Sequence, residues 1–147
     1  MRPRDGRLVD DESGSTLLLT IAYGTLALVL VLVVVSATSL YLERKRLYTL
    51  ADGTALAAAE AWRLEDVRLD GDALVLGLDD ESVRSAAVDY LAAASTRGGV
   101  ELLQAASADG RSATITLRTI WHAPISTEFI PVSVPIEVTA DARSVFH

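Results

Sequence analysis

The chain has no cysteine and only two histidines among its 147 residues. The first absence excludes a disulfide framework and Cys-ligated zinc, and it leaves the redox compartment open. The second leaves little for imidazole chemistry. His122 follows Trp121 at the end of an extended segment and His147 stands far from it, with no carboxylate pair nearby, so a plain loop histidine is expected rather than a ligand or a base. Basic residues are also few, with 13 Lys and Arg against 20 Asp and Glu and a formal net charge of -7. A nucleic-acid surface needs clustered cations, so that class is set aside. No phosphate loop is present, and Ser13, Ser15 and Ser82 have no glycine elbow or partnered histidine, which removes a serine hydrolase.

The most telling absence is local. Residues 13–42 contain no Asp, Glu, Lys, Arg or His, and most of the stretch is Leu, Val, Ile and Ala. About 20 such residues span the hydrocarbon core of a bilayer. No second run of that length follows, so the expected topology is single-pass, with membrane lipid as the first partner. The expected division is a polar segment at 1–12, a transmembrane helix at 13–42, a helical extension at 43–64 and a small extracytoplasmic domain at 65–147. Charge does not orient the span, because Arg2, Arg4 and Arg7 on one side are matched by Arg44, Lys45 and Arg46 on the other. Val35-Ser36-Ala37 offers a small-x-small signal-peptidase site, but the apolar run exceeds that of a secretory signal and the preceding segment mixes both charges. Retention is the preferred reading.

Past the span, residues 43–62 continue as helix. Leu47, Leu50, Thr54, Ala57, Ala58 and Ala61 recur at three- and four-residue spacing, in a segment rich in the best helix former. One helix over about 17–64 would be roughly 70 Å long at 1.5 Å per residue, with Gly53 as a place for a bend. Small residues along one stripe permit close approach of another helix. The same stripe would equally dock on the chain's own sheet, and both readings stand.

Here a resemblance can be stated. The order Glu12-Ser13-Gly14-Ser15, a long apolar run, Tyr41-Leu42-Glu43-Arg44-Lys45-Arg46-Leu47 and Ala51-Asp52-Gly53-Thr54-Ala55-Leu56-Ala57-Ala58-Ala59-Glu60 resembles the N-terminal region of TadE/TadG-like proteins. These are pilin-like membrane proteins of the tight-adherence (Flp pilus) secretion system, and the likeness is closest to actinobacterial members. The resemblance implies an envelope protein that assists pilus assembly, with its domain outside, with other Tad subunits as helix-packing partners, and without enzymatic activity. It also implies a possible prepilin-peptidase site between Gly14 and Ser15. Many relatives carry a Glu five residues into the mature chain, where this chain has Leu19.

The remainder predicts an α+β domain: the long helix, a second helix and a three- to four-stranded antiparallel sheet. Asp70-Gly71-Asp72 reads as a turn before a short strand at 73–78. Asp79-Asp80-Glu81 then leads into Val83, Ala86, Ala87, Tyr90, Leu91 and Ala94 at helical spacing, closed by Arg97-Gly98-Gly99. Residues 100–107, the turn Asp109-Gly110 and the alternating segment 112–121 read as a hairpin. A last extended segment, 132–142, holds Pro135, which demotes at least its first half to an edge strand or a non-sheet segment, and an exposed sheet edge is a place for another subunit to add. Asp70, Asp72, Asp79 and Asp80 lack calcium-loop spacing and are expected in turns and caps. Trp62, Trp121, Phe129 and Ile130 are expected in the core, with an interface patch as the other option. No catalytic residue, cofactor, metal or small-molecule substrate is expected. The functional expectation is an anchored, pilin-like accessory of a Flp-type pilus; the alternative is a tethered or secreted surface-binding domain unrelated to pili.

Overall fold

The computed structural model describes residues 9–61, 67–70, 73–94, 98–124 and 131–143. Helix α1, Val9–Ala59, is a single element of 51 residues, or about 76 Å at 1.5 Å per residue. It divides by what covers it. From Leu17 to Val35 every large apolar side chain is exposed on all sides of the helix, whereas from Ser36 onward one side becomes covered by the rest of the chain. An apolar surface all round a helix is what a lipid environment accommodates.

The covered side packs on a three-stranded antiparallel sheet in the order β3-β4-β5, formed by Val100–Ala106, Ser112–His122 and Ser133–Arg143. Period-two alternation puts Ala113, Ile115, Leu117, Thr119 and Trp121 of β4 on one face, joined by their partners Ala142, Ala140, Val138, Ile136 and Val134 of β5. Ile115 and Leu117 are fully buried, each worth about 1.5–3 kcal/mol by transfer from water. The opposite face is polar. There Thr116 and Thr139 share a hydrogen bond of 3.0 Å, and the Arg118 guanidinium donates to Glu101 at 2.7 Å.

Strand β3 does not keep a single alternation. Leu102 pairs with Leu117 and Gln104 with Thr116, so Leu103 is an extra residue. This bulge shifts the inward positions from Val100 and Leu102 to Ala105. Helix α2, Asp80–Ala94, lies on the same sheet face as α1 and buries Val83 and Ala87 in the shared core. Asp79 caps it by accepting the Ser82 N–H at 2.6 Å, and the Asp80 carboxylate accepts the Ser107 N–H at 2.8 Å, fixing the helix start to the end of β3.

A separate two-stranded sheet pairs β1, Val67–Asp70, with β2, Ala73–Leu76. The expected strand at 73–78 is thus shorter and belongs outside the main sheet. Gly53 lies within the continuous helix α1, and a Cβ at that position would overlap the Tyr90 phenol of α2, so glycine there makes room for the second helix. Trp62, Gly71, Asp72, Arg97, Phe129, Ile130 and His147, weighed above, lie outside the described residues.

Candidate functional site

The chemistry-bearing groups are soon accounted for. Asp79 and Asp80 are occupied in capping, as above, and Asp109 closes the turn between β3 and β4. Its carboxylate accepts from the Ser112 hydroxyl at 2.7 Å and from the N–H groups of Arg111 and Ser112 at 2.9 and 2.7 Å. The Ser112 hydroxyl bond, followed by the two backbone bonds, pulls the Asp109 pKa from the usual 3.8 to about 2. Gly110 supplies the left-handed residue of the turn with φ 68°. His122 is exposed at the end of β4. Among the described residues no group of three His, Asp or Glu could hold a metal ion.

What distinguishes the molecule is the surface of α1. Gly14 and Ser15 lie within the helix and are exposed, and a Cβ added at Gly14 would meet nothing within 4 Å. Of the proposed packing stripe, Leu47, Thr54 and Ala58 are buried in the chain's own core, while Leu50, Ala57 and Ala61 stay half-buried at its margin. The core also takes Ala51, Ala55 and Ala59, which lie outside the predicted stripe. In a segment where alanine occupies most positions, little hydropathy contrast separates one face from its neighbour. The continued spacing from Leu47 through Ala51, Ala55 and Ala58 was the available signal. Thr54 tolerates its burial because its hydroxyl donates to the Leu50 carbonyl at 2.7 Å.

Lower on the helix, a contact that no periodicity foreshadows ties the sheet to α1. The Trp121 Nε1–H donates to Ser39 Oγ at 3.2 Å, joining the end of β4 to α1 just past the exposed apolar stretch. Trp121 is 8% exposed, so core burial rather than an exposed patch is its role. Beside it, a cleft of about 450 Å³ opens between α1 and β5, walled by Ala37, Leu40, Tyr41 and Arg44 on one side and by residues 134–137 on the other. Ser36 Oγ is buried near this level without a hydrogen-bond partner. Arg44 extends over the Tyr48 ring at 5.7 Å, and Arg46 pairs with Glu43 at 3.7 Å. The edge strand β5 carries Pro135, as its sequence position requires.

One helix thus joins a fully exposed apolar half to a small-residue face on which a small domain is built. By length and composition, Gly14–Ala59 contains a stretch able to cross a membrane. No curated protein and no solved structure matches the chain. Residues 14–61, the apolar half of α1 together with its small-residue face, match the model of a family described as putative Flp pilus-assembly TadE/G-like, and for that stretch the family likeness is shown.

Proposed function

We propose that the chain is a pilin-like accessory of a Flp-type pilus or related secretion apparatus, held in the cytoplasmic membrane by residues 13–42 with its α+β domain outside. The observation that supports this best is the coincidence of the family match over 14–61 with the exposed apolar half of α1 and the small-residue face beyond it. The role is one of assembly and requires no catalysis. Other subunits would approach α1 where Leu50, Ala57 and Ala61 remain half-open, since the rest of that side serves the chain's own core. Among the described residues β5 lies at the edge of the sheet, which makes it a second place for a subunit to join.

Deleting the gene in its host and counting surface pili by electron microscopy tests the proposal, with complementation by the whole chain. Loss of pili restored on complementation is expected. Unchanged piliation would overturn the pilus role and leave a tethered surface-binding domain as the reading.

A further inference from the structure

We infer that the β4–β5 end of the domain sits in the headgroup layer of the bilayer, so that the lipid surface itself is the partner of Ile120, Val132 and Val134. The inference rests on the anchoring proposed above. The domain begins to cover one side of α1 at Ser36, after the continuously exposed run up to Val35, while on the open side exposed apolar side chains continue through Tyr41 to Leu42, the end of the uncharged stretch. Ser39, which receives the Trp121 hydrogen bond, is four residues past Val35, hence about 6 Å further along the helix. The headgroup region adds roughly 5–8 Å on each side of a core about 30 Å thick. Trp121 and the strand ends beside it therefore fall at headgroup depth.

The surface chemistry agrees with that depth. Ile120 is 58% exposed, Val134 40% and Val132 39%, and Pro124 and Pro131 are exposed with them. Ile120 lies on the outer face of the sheet and Val134 on the α1 side, so apolar side chains are exposed on both faces at this end of the strands, where lipid can cover them. On the helix the level is marked by Ala37, Leu40 and Tyr41, and the first cation on the cleft wall is Arg44. An exposed tyrosine such as Tyr41 favours this zone, and arginines just beyond it meet lipid phosphates. The far end of the same strands is different. There the exposed residues include Asp109, Arg111, Asp141 and Arg143. Among the described residues the end level with the span exposes Ile120, Val132, Val134 and two prolines beside the uncharged Ser133 and the single His122, and the remote end exposes four charged groups; this asymmetry carries the inference.

Because the chain has no cysteine, single nitroxide labels report depth cleanly. The whole chain, reconstituted in phosphatidylcholine and phosphatidylglycerol vesicles, is labelled at Val134→Cys or Ile120→Cys, with Leu28→Cys as the core reference and Arg111→Cys as the aqueous one. Collision with a nickel chelate and with oxygen is then measured for each. Labels at 120 and 134 should be several-fold less open to nickel than the label at 111 and more open than that at 28. If both match the label at 111, the domain stands clear of the bilayer and the inference is overturned. If the label at 28 is itself open to nickel, the anchoring proposal fails, and this inference fails with it.

Discussion

Two residues show how local chemistry sets the small domain. Asp109 is held ionised by three hydrogen bonds, and its folded pKa, about 2, lies below the usual 3.8. A depressed carboxylate contributes stability that is fully present above the unfolded value and is lost as pH falls through the folded one. The contribution should therefore fade between about pH 4 and pH 2. Thermal melts of the wild type and Asp109→Asn across that range are expected to converge as pH falls; a constant gap would show that the charge is not what stabilises the turn. Gly53 acts through space rather than charge. Its replacement by alanine should gain up to about 1 kcal/mol of helix propensity, but it collides with Tyr90. Gly53→Ala is expected to lower the melting temperature in the wild type and raise it in a Tyr90→Ala background, and a double-mutant cycle reads the coupling directly. Equal effects in both backgrounds would remove Tyr90 as the reason for the glycine.

Among the elements, legibility followed contrast. Helix α2 was readable because acidic residues precede apolar positions at helical spacing, and β4 because apolar and polar residues alternate from Ala113 to Trp121. The bulge in β3 was not, since an extra residue such as Leu103 shows itself only when the partner strand is known. The pairing of β1 with β2 was missed for a related reason: four-residue strands carry too little pattern to declare a partner. The cap on α2 lends itself to test. Asp79→Ala should cost about 1 kcal/mol by denaturant unfolding and Asp79→Asn much less, because asparagine keeps the accepting oxygen. The tie between β4 and α1 is equally open to trial. Trp121→Phe and Ser39→Ala should each cost about 1 kcal/mol for the hydrogen bond, and the double variant little more than either. Additive losses would mean that ring packing alone joins the strand to the helix.

For the whole molecule the governing question is what becomes of α1. The apolar span was plain in the sequence, and so was the small-residue stripe beyond it, but which residues the domain would claim depended on the fold. Leu47, Thr54 and Ala58 are spent internally, so any helix that packs on this part of α1 would have to use what remains exposed. The span itself gives subunits no charged handle. Many of the pilin-like proteins that this stretch resembles carry a Glu near the mature start, and an unpaired acidic residue within a membrane would cost at least about 2.5 kcal/mol until a partner met it. Leu19 carries no such cost and demands no such partner, so a chain cut after Gly14 would gain no charge pairing from the cut. The intact mass of the native protein taken from the membrane fraction is therefore expected to include residues 1–14. A mass that starts at Ser15 would mean processing without the acidic residue, and entry into a filament would then replace residence in the membrane as the role of this chain.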